Sequence, residues 1–138
     1  MTAPPPAALG RRLLSMLYEG LVVFAVLLIF FLIPEAALSG YLGHTASPRL
    51  MWLHALLLLM IYFVWFWLHG GQTLPMKTWK LRLTNADGAP LRPLQAVFRY
   101  LAAWPSILLF GIGILWALLD RDRQFLHDRL AGSCIRSV

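Results

Sequence analysis

Long apolar stretches dominate the pattern of hydrophobic and polar positions along the chain. Residues 13–33 are apolar except for one serine and Glu19, and residues 50–68 are interrupted mainly by His54. At a rise of 1.5 Å per residue, each stretch is long enough for a helix that crosses a bilayer core of about 30 Å. The sequence therefore predicts two membrane-spanning helices, the first of which we expect to end at Pro34. A cleaved signal peptide is the alternative for the first stretch, but such peptides have shorter apolar regions.

A third apolar stretch has a different pattern. It covers residues 98–119, with Arg99 at its start and Pro105, Gly111 and Gly113 inside it. Proline and glycine disrupt a helix, and in lipid the freed backbone groups need partners from neighbouring protein. Length favours one kinked crossing, because a single crossing takes about 20 residues. A re-entrant hairpin, which enters and leaves on the same side, is the alternative.

The segment between the second and third stretches, residues 69–93, is polar and irregular. Gly70 and Gly71 interrupt the helix, basic and apolar side chains alternate over residues 77–84, and residues 85–88 indicate a turn. Alternation with a period of two, followed by a turn, is typical of a strand. We predict a small β-hairpin or extended loop at the membrane surface. Its basic face either contacts lipid phosphates or is simply solvated.

The two ends of the chain carry different signals. Residues 1–10 include three consecutive prolines and are expected to form a flexible tail, which leaves residues 11–138 as a single membrane domain. Residues 124–130 predict a short interfacial helix that carries Asp128. We expect Asp128 to accept hydrogen bonds from Arg12 or from the basic loop, and so to hold the ends of the fold together.

The amino-acid composition independently supports a membrane protein. Of the 138 residues, 59% are hydrophobic and 13% are charged, and the mean hydropathy is +0.68. Soluble domains contain about 45–50% apolar and about 25% charged residues, and a chain this short cannot bury the excess in one core. An ordinary soluble enzyme, a disordered chain and a nucleic-acid-binding module are therefore excluded. We predict an all-α membrane protein with about three transmembrane or membrane-embedded helices, the third kinked or re-entrant.

Charge adds a prediction about lipids and orientation. The formal charge is +6, and apart from Arg99 the basic residues lie outside the apolar stretches, which favours contact with anionic lipid headgroups over nucleic acid. A re-entrant third segment would place ten basic residues on one side of the membrane and Arg49 alone on the other. Three full crossings would leave almost no bias. We expect a multi-pass protein of the bacterial inner membrane with its N-terminus in the cytoplasm.

Cofactor chemistry finds little support in the sequence. Cys134 is the only cysteine, so an intrachain disulfide and a Cys-x-x-Cys metal site are both excluded. The four histidines are scattered and do not have the spacing of metal ligands. No nucleophile-elbow pattern is present. We therefore expect a chain without catalytic residues, metal or cofactor, in which Cys134 is a packing residue.

Glu19 is the ionisable residue that lies well inside a predicted span. Placing a charge at such a depth costs about 2.5–3.5 kcal/mol on insertion scales, so Glu19 needs a partner. Arg12 lies two helical turns earlier, which is too far along the axis for a direct ion pair. Arg99, His54 and the C-terminal tail are the expected partners. Glu19 either fastens the helices together or binds a cation or proton.

Three blocks of the sequence resemble the RDD family, which is named for one arginine and two aspartates. They are residues 12–19, residues 71–82 with the following turn and Arg99, and residues 123–133. The likeness covers most of the chain, from about residue 11 to residue 135. The first aspartate of the family is Glu19 here, and Pro75 stands in the region where the second block usually has a glycine.

The resemblance implies that Arg12, Glu19 and Asp128 are the motif positions. Among the other polar residues, we expect support from His54, Arg99, His127 and Arg129. A transport role is proposed for the family, and some of its members look like sodium/proton antiporters. Transport would use Glu19 as the cation or proton site, and its thin-walled path would need a homo-oligomer or another membrane protein. The alternative is an accessory or scaffold protein whose charged motif only holds the helices together.

Overall fold

Two long apolar helical stretches form the body of the molecule, as the sequence predicts. The computed structural model describes residues 6–109 and 111–138. In chain order its elements are α1 (Leu9–Leu27), a π-helical turn (Leu28–Leu32), α2 (Ile33–Leu42), α3 (Pro48–Leu68), α4 (Leu74–Thr78), β1 (Leu81–Asn85), α5 (Pro93–Leu108), α6 (Ile112–Leu119), α7 (Leu126–Leu130) and β2 (Ser133–Ser137). The continuous stretch Leu9–Leu42 and helix α3 are each long and apolar enough to cross a membrane. A mostly helical chain with a small two-stranded sheet confirms the predicted fold class.

The first helical stretch is longer than expected, because Pro34 does not end it. A π-helical turn immediately precedes the proline, and in it the N–H of Ile33 donates to the carbonyl oxygen of Leu28. Such a turn widens the hydrogen-bonded ring, and we attribute to it the passage of a residue that lacks an N–H. The helix then continues to Leu42 and ends at Gly43, whose φ of 73° is left-handed. The expected end at Pro34 is wrong, and the polar connection to α3 is shorter than predicted.

The third apolar segment is bent, as predicted. Helices α5 and α6 meet at an angle of 93°. Beyond the bend, Gly113 lies directly against Ser106, where an added Cβ would be 2.4 Å from the Ser106 Cβ. Glycine is therefore required for α6 to approach α5 this closely. Helix α7 packs against both of them, so the chain returns to the level at which α5 began.

The predicted strand is present, and its partner lies far away in the sequence. The turn after β1 forms, with the N–H of Ala89 donating to Asn85 Oδ1 at 2.9 Å, but it leads into α5 instead of into a second local strand. Strand β1 pairs antiparallel with β2, so that Leu83 lies opposite Ile135. The extended segment was predictable from its alternating pattern, whereas the local hairpin expected as one alternative is not formed.

The N-terminal residues join the same sheet. Pro6 forms a β-bridge with Arg136, and the N–H of Ala7 donates to the carbonyl oxygen of Ile135 at 2.9 Å. A flexible tail is therefore wrong for residues 6–10, while residues 1–5 of that predicted tail lie outside the described residues. Both ends of the bent pair connect to this sheet, which favours the re-entrant alternative over a third full crossing.

The best-packed part of the molecule lies beneath the sheet. Leu81 and Leu83 of β1 and Phe125 before α7 are each 1% exposed. The long helices are different, since Leu21 and Phe24 of α1 are 66% and 67% exposed. Apolar side chains in such numbers on a helix surface are stable in lipid, not in water. The structure thus combines a protein-like core at one end with lipid-facing helices.

Candidate functional site: an intramembrane cavity

A cavity of about 380 Å³ lies beneath the sheet and is bordered by α1, α3 and α5. Arg12 and Glu19 of α1, Arg99 of α5 and His127 of α7 line it, and the rest of its wall is mainly apolar. The structure thus brings together four of the residues singled out in the sequence. Asp128 lies immediately behind this wall, bonded to Arg99.

Glu19 is held by two hydroxyl groups. The Tyr62 hydroxyl of α3 donates to Glu19 Oε1 at 2.9 Å, and the Thr73 hydroxyl, at the start of α4, donates to Glu19 Oε2. The partners expected from the sequence are wrong, because Arg99 pairs with Asp128 and His54 pairs with Glu35. Two hydroxyl donors, not a cation, satisfy this carboxylate within the helix bundle.

A close approach of two backbones positions Thr73. The N–H of Leu83 in β1 donates to the carbonyl oxygen of Gly71 at 2.7 Å. Gly71 has a φ of +69°, and an added Cβ would lie 2.5 Å from the Leu83 carbonyl oxygen, so only glycine is accommodated. Helix α4 then begins after Thr73 and packs against α1. The sheet therefore determines where the hydroxyl meets Glu19.

Asp128 forms a buried ion pair with Arg99. Asp128 Oδ1 is 2.7 Å from Arg99 Nε and 2.6 Å from one of its terminal nitrogens. The two side chains are 0% and 7% exposed, and the guanidinium carbon of Arg99 lies 4.3 Å from the centre of the Trp67 ring. Asp128 thus ties α7 to α5 and α3. The expectation that Arg12 or the basic loop would be its hydrogen-bonding partner is wrong.

Arg12 ties the first helix to the C-terminal segment in another way. Its guanidinium donates to the carbonyl oxygen of Arg123 and lies over the Phe125 ring, 4.9 Å from the centre. The residue is only 1% exposed. Among the described residues, its Nε atom has no hydrogen-bond partner. The expected link between the ends of the fold exists, but a carbonyl and a ring provide it.

His127 is an uncharged polar group at the cavity wall. Its Nε2 is 3.8 Å from Asp128 Oδ1, and its Nδ1 has no hydrogen-bond partner in the described part of the chain. Burial lowers the pKa of His127 to about 4, although the nearby Asp128 carboxylate opposes this effect. His127 is therefore neutral at pH 7.

Two of the expected supporting residues lie elsewhere. His54 Nδ1 is 2.7 Å from Glu35 Oε1, towards the end of the molecule away from the sheet. Arg129 pairs with Asp120 at 2.7 Å and is half exposed. Neither residue lines the cavity. Over the residues that the structure describes, no three His, Cys, Asp or Glu side chains are grouped to hold a metal ion.

Four residues of the site did not stand out in the sequence. Tyr62 and Trp67 belong to an aromatic cluster that is typical of a membrane interface, yet they bind Glu19 and Arg99. In the sequence Phe125 is one apolar residue among many, and Thr73 carries no signal beyond its position after the glycine pair. A hydroxyl within a helix bundle is a weak signal, because its partner is fixed only by the tertiary fold.

Comparison with known proteins relates the chain to a family of proteins. The family model of the RDD family matches residues 6–132, most of the chain. An uncharacterized protein of Rickettsia prowazekii (strain Madrid E), RP437, is 29% identical over 80 residues, which are 58% of this chain and 44% of that protein. The alignment thus spans less than half of that relative. No solved structure matches. With apolar helices, a charged motif gathered around one cavity and a family match of this extent, the chain is a membrane protein that belongs to the RDD family.

Proposed function

We propose that the protein moves protons, or a proton-coupled solute, across the membrane, with Glu19 as the exchanging carboxyl group. The observation that carries this proposal is the pair of hydroxyl groups on Glu19. A hydroxyl can donate to a carboxylate and, after rotation, accept from a carboxylic acid. Both protonation states of Glu19 can therefore be hydrogen-bonded in the same place, which a proton-exchange site requires.

The charges around the cavity support a proton over a metal cation. Arg12 and Arg99 line the same cavity as Glu19. In surroundings of low dielectric constant, two guanidinium groups repel a metal ion strongly. A proton is neutralised on the carboxylate itself and does not need a shell of oxygen ligands. A sodium ion is therefore the less favoured substrate of this site.

The proposal includes the orientation of the protein in the membrane. The N-terminal residues, the loop between α3 and α5, and the C-terminal strand meet at one sheet. This end of the molecule carries most of the arginines and lysines of the chain. The positive-inside rule supports a cytoplasmic location for the sheet and N-terminus in a bacterial inner membrane.

The test is proton flux in proteoliposomes that contain a trapped pH-sensitive dye and equal amounts of protein. Glu35→Gln is the matched control, because Glu35 belongs to the same continuous helical stretch but pairs with His54 and does not line the cavity. We expect Glu19→Gln to lower the initial proton flux at least tenfold, as loss of the exchanging group requires, while Glu35→Gln retains it. Flux that is equal in the parent and Glu19→Gln, or absent from both, would contradict the proposal.

The second candidate function is a scaffold without transport. The buried Arg99–Asp128 pair favours it, because this pair links α5 to α7 and its two side chains are only 7% and 0% exposed. The exposed apolar helices would then bind lipid and a second copy of the chain or another membrane protein. A folded parent protein without any proton flux is the result that this function predicts.

A further inference from the structure

Of the two arginines that line the cavity, only Arg99 has a carboxylate at ion-pair distance within the described ranges. Arg99 is paired with Asp128. Arg12 is 1% exposed, and within the described ranges it has no carboxylate at ion-pair distance and an Nε atom without a partner. A buried guanidinium that lacks part of its hydrogen bonds is unfavourable unless another group completes them. An anion that entered the cavity would complete them.

A second unpartnered polar atom belongs to another residue of the same cavity wall. His127 is 4% exposed and lines the cavity, and its Nδ1 has no partner in the described part of the chain. In the tautomer that carries a proton on Nδ1, this nitrogen can donate to an anionic oxygen. Arg12 and His127 thus each bring a buried nitrogen without a hydrogen-bond partner to the part of the cavity wall near the sheet.

The remainder of the cavity suits an apolar chain, not a small hydrated ion. Its walls include Met16 and Val23 from α1, Phe63 from α3 and Ile107 from α5. Ile107 is 44% exposed, and the facing Gly20 is also exposed. The cavity therefore opens between α1 and α5 at the level of the lipid-facing helices. A volume of about 380 Å³ falls within the usual range for small-molecule sites.

We infer that this cavity binds an anionic headgroup, a carboxylate or a phosphate, attached to an apolar chain. The headgroup lies at Arg12 and His127, and the chain extends between Phe63 and Ile107. This inference rests on the proposed function, because it names the solute class whose movement Glu19 would couple to protons. The negative charges near the ligand are Glu19, Asp128 behind Arg99, and Asp120, whose charge acts on Arg12. Protonation of Glu19 removes the negative charge of this carboxylate from the cavity. The positive charge of Arg12 then balances the negative charge of the bound headgroup.

The experiment is equilibrium binding of 8-bromooctanoate to the purified full-length chain in a non-ionic detergent. Bromine quenches tryptophan fluorescence on contact, and Trp67 lines the cavity. We expect saturable quenching by 8-bromooctanoate, and at least about tenfold weaker binding of the uncharged 8-bromooctanol, which corresponds to about 1.4 kcal/mol. Acetate and inorganic phosphate, which lack the chain, should not displace the bromo-acid.

Variants locate the site. Arg12→Gln should weaken binding at least about tenfold, while Arg121→Gln, an exposed arginine outside the cavity, should leave it unchanged. If Arg12→Gln does not fold, Ile107→Phe takes its place, because a phenyl ring at the opening fills part of the space for the chain without adding a tryptophan to the fluorescence signal. Displacement by dihexanoyl phosphatidic acid would identify a lipid headgroup as the source, and displacement by octanoate alone a single-chain acid.

Equal quenching by the acid and the alcohol, or binding that neither Arg12→Gln nor Ile107→Phe changes, would overturn the inference. Proton flux without binding of the bromo-acid would also overturn it while leaving the proposed function intact. Binding without proton flux would remove the proposed function and leave a ligand site that serves another purpose.

Discussion

Glu19 and Asp128 are the two acidic positions of the motif, and their surroundings differ in kind. Asp128 is 0% exposed and faces the guanidinium of Arg99, whereas Glu19 faces two hydroxyl groups at the edge of a cavity. Removing the charge of Asp128 would leave a buried cation unpaired. Glu19 forms no ion pair in the described part of the chain, and the two hydroxyl groups that donate to it can reorient when its charge is removed. The comparison teaches that Asp128 is bound to a cation that its loss would leave unpaired, whereas Glu19 has hydroxyl partners that can be hydrogen-bonded to either of its protonation states.

The largest expected effect is the loss of stability in Asp128→Ala. Breaking a buried ion pair by removing one partner costs about 3–5 kcal/mol of unfolding free energy, because the other charge stays buried. Cys134 is the only cysteine and is 2% exposed, so its reaction with a thiol-reactive dye in a denaturant series measures unfolding. Asp87→Ala, in the exposed turn after β1, is the control and should change little. Equal stability of both variants would contradict a structural role for Asp128.

The next largest effect is a dependence of the unfolding free energy on pH, which we expect to arise from His127, the neighbour of Asp128. The pKa of His127 is about 4 in the folded chain and about 6.5 in the unfolded one. Between these values the unfolded chain binds more protons, so stability is fully present above pH 6.5 and is lost as the pH falls towards 4. The expected loss is about 3 kcal/mol. His127→Gln should flatten the profile of unfolding free energy against pH, which tryptophan fluorescence can follow because thiol reactivity itself changes with pH. An unchanged profile would show that another group is responsible.

The smallest effect on stability is expected for Glu19→Gln. The amide oxygen of glutamine still accepts one hydroxyl hydrogen bond, so the loss should be about 0.5–1.5 kcal/mol, as for one neutral hydrogen bond. The same denaturant series with Cys134 as the reporter measures it. A loss as large as that of Asp128→Ala would mean that Glu19 also has a mainly structural role, and the contrast between the two acids would disappear.

The sequence predicted those features that depend on local pattern. The two long apolar stretches, the bend near Gly111 and the short helix around Asp128 follow from hydropathy, glycine and proline, all of which act within a few residues. The passage of the first helix through Pro34 was not predictable in this way, because a π-helical turn before the proline replaces the expected break. Local sequence rules therefore predict the first helix but not its continuation past Pro34.

The partners of the charged residues could not be predicted either. Glu19 with Thr73, and Arg99 with Asp128, are separated by tens of residues and meet only because β1 pairs with β2. The alternating pattern of β1 signals a strand, yet contains nothing that specifies a partner at the other end of the chain. The sequence therefore singled out several charged residues that the structure brings to one cavity, but it did not predict their partners.

The most direct test of the difference between the two acids is labelling with dicyclohexylcarbodiimide. This apolar reagent enters membranes and modifies carboxyl groups that carry a proton, and mass spectrometry of peptides identifies the modified residue. We predict that Glu19, which lines the cavity, is modified and that Asp128, buried against Arg99, is not. Modification of Asp128 without modification of Glu19 would contradict the account.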